Sequence, residues 1–401
     1  MKRLVKYLPI IGERQLERIR KEAKPLEGKH IIHINSTYYG GGVAEMLNSL
    51  VPLFNDLGIN MGWRLLKGSP DFFSITKKFH NALQGEDINL TAMKKKIYLE
   101  VNRTNSEITH IAHHDAVIVH DPQPLPLINY YKKTQPWIWR CHIDLSRPNR
   151  VLMNYLKTFI ERYDKIIISK STFKHNFKVP QEVIYPSIDP LSTKNIEMAD
   201  WKVHKYMKKY GCDTDKPIIS QISRFDKWKD PLGVIRAFRM IREKVDCRLV
   251  LLGSMATDDP EGQKLYEQVL EAAKGDKEIK VINFENDTLV NALQRASAVV
   301  IQKSLKEGFG LTVSEALWKK KPVVAMNVGG IHLQIKNGYN GYLVNSEEST
   351  ARAVVALLKN PKRAEQMGER GHNVVKKNFL ITRHLMDYIT LLKKHIIHYK
   401  V

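Results

Sequence analysis

Two glutamates eight residues apart, Glu307 and Glu315, bracket the run Gly308-Phe309-Gly310 and make the most specific cluster in the sequence. Carboxylates accept hydrogen bonds from vicinal hydroxyls, and glycines let a backbone approach a ligand closely enough to donate its N–H groups. With a helix beginning near Leu311 or Thr312, the amides of Phe309, Gly310 and Leu311 face an oxyanion. Glu307 then lies on the loop, and Glu315 falls in the first helical turn. One acid for a ribose, one for a hexose and bare amides for phosphate oxygens suit a nucleotide sugar. An acidic first turn is favourable in any helix, which accounts for Glu315 but not for Glu-Gly-Phe-Gly.

A second cluster is cationic. A strand over 217–222 runs into Arg224, Lys229 follows five residues later, and Asp230-Pro231 reads as the N-cap and first residue of a helix. A guanidinium and an ammonium at the carboxyl end of a strand can clamp a diphosphate in the crevice there. A solvated basic loop is the plainer alternative, and Lys227 is a competing cation. The third cluster, Gly40-Gly41-Gly42, joins a strand over 30–35 to a helix near Val43, where free amides and the positive helix end favour phosphate or sugar. It lacks the GxGxxG spacing, and the next strand ends in Lys67-Gly68 rather than an acid, so it reads poorly as a dinucleotide fingerprint. His113-His114-Asp115 invites a metal, but adjacent histidines before a strand point opposite ways, and a solvated loop is the expectation.

These loops need sheets to hold them. Buried-strand patterns recur at 30–35, 61–66, 116–120, 137–141, 165–169 and 183–185, then at 217–222, 247–252, 279–282, 298–302, 322–325 and 341–344. Amphipathic helical segments lie between them, which calls for α/β architecture with parallel sheets and crossover helices. The candidates divide evenly about a charged stretch containing Pro190 and Gly211. Residues 1–190 are therefore expected to form one doubly wound domain, 191–215 a linker and 216–382 a second, the two facing each other across a cleft. A helix over 383–401, with Leu385, Ile389, Leu392 and Ile396 on one face, is expected to return to the first. Trp137 and Trp139 share a strand face and read as core; the runs at 94–96 and 319–321 read as solvated lysines.

Composition limits the function classes. The 401 residues are 43% hydrophobic and carry 64 basic against 42 acidic side chains, a net +22. That charge favours anionic partners without choosing among nucleic acid, membrane surface and phosphorylated small molecules. No basic-aromatic array points to nucleic acid. Cys141, Cys212 and Cys247 are too few for a disulfide framework and include no CxxC pair, and the opening residues lack a long apolar run. A cytoplasmic, non-membrane protein is expected, and abundant Lys, Ile and Glu hint at a thermophile.

The E-x7-E frame of Glu307 and Glu315, the R-x4-K of Arg224 and Lys229 and the glycine run resemble the retaining glycosyltransferases of GT-B fold, over nearly the whole chain. More narrowly, HINSTYYGGGVAEML, VHDPQPLPL, WRCHIDLS and ISRFDKWKDP resemble the archaeal trehalose glycosyltransferring synthases, which join a nucleoside-diphosphate glucose to glucose. Ser223 and Asp230 depart from the pattern, standing where many relatives have glycine. The resemblance implies that Arg224 and Lys229 neutralise the leaving diphosphate and that amides around Gly41 and Gly42 cover the phosphates. It gives Glu315 the ribose, and Glu307 with the amides of Phe309, Gly310 and Leu311 the transferred glucose. Residues 284–288 would flank the base. His142 would sit beside the reacting carbon, and His120, Asp121 and Gln123 would contact the acceptor. The implied substrates are ADP- or UDP-glucose and glucose, with no metal or other cofactor, no nucleic acid partner and an assembly up to a homodimer. The alternatives are another sugar transferase of this fold, sucrose-type or lipid-directed, and more remotely a nucleic-acid-binding protein.

Overall fold

A computed structural model describes residues 3–38, 41–254, 260–397 and 399. The chain divides into two compact units, residues 1–187 with 381–401, and residues 188–380. Each is built on a six-stranded, wholly parallel sheet.

In the first unit the strands are β1 (His30–Asn35), β2 (Asn60–Leu65), β3 (Ala116–His120), β4 (Trp137–Arg140), β5 (Lys165–Ile168) and β6 (Gln181–Val183), in the order β2-β1-β3-β4-β5-β6. β3 and β4 are buried along their whole length, as parallel strands covered on both faces must be. β6 lies two residues before its expected place. The peptide N–H of Ile184 closes the ladder on Ile168, and the carbonyl of Tyr185 is taken by Arg383 and His384 instead. The helix Gly42–Asp56 follows β1 and buries Ala44, Leu47, Leu50 and Phe54, a spacing that puts them on one face.

The second unit contains β7 (Ile218–Ile222), β8 (Arg248–Gly253), β9 (Ile279–Asn283), β10 (Ser297–Gln302), β11 (Val323–Met326) and β12 (Tyr342–Val344), in the order β12-β11-β10-β7-β8-β9. In both sheets the chain adds strands on one side, then returns past its starting strand to build the other. The switch points fall between β1 and β3, and between β7 and β10. Ligand crevices open at the carboxyl ends of strands at such points.

The expected linker is not one. Residues 188–215 belong to the second unit and contain the helix Asp200–Lys209, whose Val203 and Met207 join a core with Leu289, Val290 and Leu293. Asn291 donates to the carbonyls of Thr193 and Ile196, and Arg295 pairs with Glu197 at 2.8 Å. Pro190 and Gly211 shape this segment without loosening it.

The helix Ile381–Ile397 belongs to the first unit, where Leu385, Tyr388, Ile389 and Leu392 are buried and Lys393 pairs with Glu22. The chain thus crosses between units twice. The two crossing points touch each other, since Ile188 N–H donates to the carbonyl of Phe379 at 2.9 Å. Trp137 and Trp139 are fully buried. Lys319 is buried too, against expectation: its ammonium is held by Asn195 Oδ1, Gln294 Oε1 and the carbonyl of Glu315.

Candidate active site

At the switch point of the second unit, the loops after β7 and β10 are stitched together. The amide of Gln221, a buried β7 side chain, donates to the carbonyl of Lys229 at 2.8 Å and accepts from the N–H of Lys303 at 2.9 Å. Leu305 N–H donates to Trp228 O, and Lys303 forms a salt bridge with Asp230. Asp230 occupies the left-handed region at φ 44° while capping the helix Pro231–Arg242 through the N–H of Gly233. Asp tolerates that conformation better than most residues, which explains how a non-glycine residue stands here.

This stitching brings Lys229 against Glu307. Their Nζ–Oε2 distance is 2.5 Å with both side chains mostly buried, and Ser304 Oγ donates to the same carboxylate oxygen at 3.1 Å. Arg224 extends from the same loop, about a third exposed, with a 3.7 Å contact to Asp226. Gly310 takes φ 83°, which favours glycine, and a Cβ there would crowd Cγ of Glu307 at 3.2 Å. Gln334 secures the carbonyls of Phe309 and Gly310, while the helix Leu311–Trp318 begins with no side-chain cap. The orphan amides of a helix start face an anion readily.

Glu315 departs from its expected position. The helix starts at Leu311, so Glu315 is its fifth residue, one turn in; its side chain is buried and Oε2 accepts from Gln294. Phe284 is half exposed beside Tyr210, and Asn286 caps the helix that follows.

The first unit gathers its polar groups at the ends of β1, β3 and β4. Three imidazoles run in a line. His33 Nδ1 lies 2.8 Å from His120 Nε2, and His120 Nδ1 lies 2.9 Å from His142 Nε2. Burial pushes His33 down to about 3 and the other two well below the usual imidazole range, with the nearby Arg140 guanidinium adding to the effect on both. With both ring nitrogens occupied, His120 backs His142 and has none left for a ligand. Asp121, at φ 59°, turns the chain out of β3. Its Oδ1 accepts from the N–H of His142 at 2.7 Å and its carbonyl from Trp139 Nε1, and burial pushes its carboxyl up to about 7. Gln123 is half-buried; its carbonyl accepts from Asn102, and its Oε1 is buried without a partner among the described residues.

Gly41 precedes the helix Gly42–Asp56 in extended conformation, again with no side-chain cap, and Gly40 lies outside the described residues. Asp115 is committed to Lys29 and the N–H of His30, and His114 to the carbonyl of Ile111. Among the described residues no group of three His, Cys, Asp or Glu could hold a metal ion, and no helix is long and apolar enough to cross a membrane.

His33, Arg140, Gln221, Ser304 and Gln334 also hold these sites together, though no motif marks them. The three polar strand residues, His33, Arg140 and Gln221, were detectable as polar side chains inside runs buried on both faces. Ser304 and Gln334 carried no comparable signal.

The fold of two doubly wound parallel sheets recurs in solved structures. The chain matches the α,α-trehalose-phosphate synthase (UDP-forming) of Burkholderia xenovorans with a TM-score of 0.74 at 13% identity, over 91% of this chain and all of that one. A model of glycosyl transferases group 1 matches residues 202–374. Fold and family together define a glycosyltransferase of GT-B architecture. The trehalose synthase N-terminal domain matches residues 33–175. Trehalose synthases of Thermococcus litoralis and Rubrobacter xylanophilus are 45% and 43% identical, each over 98% of this chain and 97% of theirs. The chain belongs to the trehalose synthase family.

Proposed function

We propose that the protein transfers glucose, with retention of configuration, from a nucleoside-diphosphate glucose (ADP- or UDP-glucose) to free glucose, giving α,α-trehalose. The observation that carries this reading is the Lys229–Glu307 pair, set beside Arg224 and an uncapped helix start at the switch point of the second sheet. When the diphosphate arrives, Lys229 turns from Glu307 to a phosphate oxygen and joins Arg224 there, and Glu307 becomes free to accept from hydroxyls of the transferred sugar. Glu315 takes the ribose, the amides of Phe309, Gly310 and Leu311 face the oxyanions, and those of Gly41 and Gly42 add to them. The bond from the anomeric carbon to the phosphate oxygen breaks, the acceptor oxygen bonds to that carbon on the same face, and its proton passes to the departing phosphate. The residues contribute position and charge stabilisation, in which preorganised donors are worth most. His142 lies beside the reacting carbon and, with Asp121 and Gln123, meets the acceptor. The cationic pair and the helix starts supply the positive charge, so no metal is needed.

The test is incubation with ADP- or UDP-glucose and glucose, with and without EDTA, and identification of the product by NMR. Trehalose and nucleoside diphosphate in equal amounts, unaffected by chelation, are expected. A different glycoside, or activity abolished by EDTA and restored by magnesium, overturns the corresponding part of the reading.

A further inference from the structure

The histidine line does not end at His33. On its far side, His33 Nε2 lies 3.2 Å from the sulfur of Met61, a neighbour on β2. A thioether sulfur has no hydrogen and serves only as a weak acceptor. The favourable contact is therefore N–H to sulfur, which puts the His33 proton on Nε2 and leaves Nδ1 as a lone pair.

The rest follows by alternation. The lone pair on His33 Nδ1 accepts from His120 Nε2–H, so His120 Nδ1 is a lone pair in turn. That lone pair accepts from His142 Nε2–H, and His142 Nδ1 is left unprotonated. This alternation holds only while all three rings are neutral. Burial keeps all three neutral, and the buried Arg140 guanidinium, whose Nε and Nη1 have no partner among the described residues, favours neutral His120 and His142 further. The rings of His120 and His142 lie within 11° of parallel, and the His33 ring is tilted by 33°. His384 and Tyr388 complete the surroundings of His33.

We propose that Met61 sets the tautomer of His142 through His33 and His120, so that the nitrogen His142 presents outward is an acceptor. His142 is partly exposed, and its Nδ1 has no partner among the described residues. Such a nitrogen takes a hydrogen bond from a neutral sugar hydroxyl and repels an oxyanion. This role at the acceptor sugar rests on the proposed reaction, but the tautomer does not. Met61, His33 and His120 are positioning residues: they never touch the ligand, yet they decide whether His142 donates or accepts.

The experiment compares the wild-type protein with Met61→Leu, a volume-conserving change that removes the sulfur and keeps the packing. The protein is labelled with ¹⁵N-histidine, and the His142 resonances are identified by their loss in His142→Asn. In the wild type, His142 Nδ1 should show the shift of an unprotonated ring nitrogen and Nε2 that of a protonated one. In Met61→Leu the two forms should mix. The Michaelis constant for glucose should then rise about twofold for an even mixture, because only the accepting tautomer binds, while that for the nucleotide sugar stays unchanged. A protonated Nδ1 in the wild type, or a pure Nε2–H tautomer persisting in Met61→Leu, overturns the relay. Mixed tautomers with an unchanged glucose constant overturn its role in acceptor recognition. If no glycoside is formed at all, the proposed reaction fails, while the ¹⁵N spectra still decide the tautomer.

Discussion

Asp121→Asn should stabilise the protein more at alkaline than at acid pH. The replacement retains an Oδ1 for the N–H of His142, and Asn tolerates the left-handed backbone at φ 59° as well as Asp does. It removes only the titrating proton. Burial raises the Asp121 carboxyl from its usual 3.8 to about 7, so the folded state holds the proton more tightly than the unfolded chain. The sign follows from linkage. Stability from a raised pKa is fully present below about pH 4 and is lost as pH rises through about 7. At about 1.4 kcal/mol per pKa unit, the wild type loses on the order of 3 kcal/mol from this group between about pH 5 and pH 8, and Asp121→Asn loses none of it. Guanidinium unfolding of both proteins at the two pH values isolates the term, because every other titrating group cancels in the comparison. Asp121→Asn should gain about 3 kcal/mol on the wild type across that interval. A difference that does not change with pH refutes the reasoning and means that Asp121 is ionised in the folded protein throughout. A carboxyl kept at this cost beside His142 fits a site where stability is given up for function.

Arg224→Ala and Lys229→Ala should each lower turnover by on the order of 10²-fold, since each removes charge from the departing phosphate, with an unchanged circular dichroism spectrum; near-normal rates in both would end the donor-site assignment. Glu307→Gln should lower kcat more than Glu315→Gln does, and Glu315→Gln should mainly raise KM for the nucleotide sugar, as steady-state kinetics will reveal. The opposite pattern would exchange the two roles. Lys319→Met should cost about 3 kcal/mol in denaturant unfolding, because it strips buried acceptors on Asn195 and Gln294 of their shared cation. A loss under about 0.5 kcal/mol would mean that those amides find other partners.

Both sheets were legible in the sequence because a parallel strand covered on both faces is a short, continuous apolar run, and each run here ends in polar, Gly or Pro residues. The loops at Glu307 and Arg224 were legible because glycine next to a carboxylate, or a paired cation after a strand, is a local signal. What escaped was tertiary. Lys319 looks like any surface lysine in a run of three, and only the fold places two amide oxygens against it. The segment 191–215 looks like a linker by its charges and the proline before it, yet Val203 and Met207, with the polar anchors at Asn291 and Arg295, dock it. The line from Met61 through His33 to His142 joins residues far apart in sequence, which meet because β1 lies between β2 and β3.

The double crossing of the chain has a consequence for synthesis. The second unit is contiguous, residues 188–380, whereas the first lacks the helix Ile381–Ile397 until its final segment has emerged. Domains fold as units during translation. The inserted unit can therefore close while its host, though made earlier, is still short of its last helix, with Tyr388 not yet beside His33 and the carbonyl of Tyr185 not yet bound by Arg383. A chain truncated near residue 380 would carry an intact second unit on an unfinished first one. The order of maturation is thus the reverse of the order of synthesis.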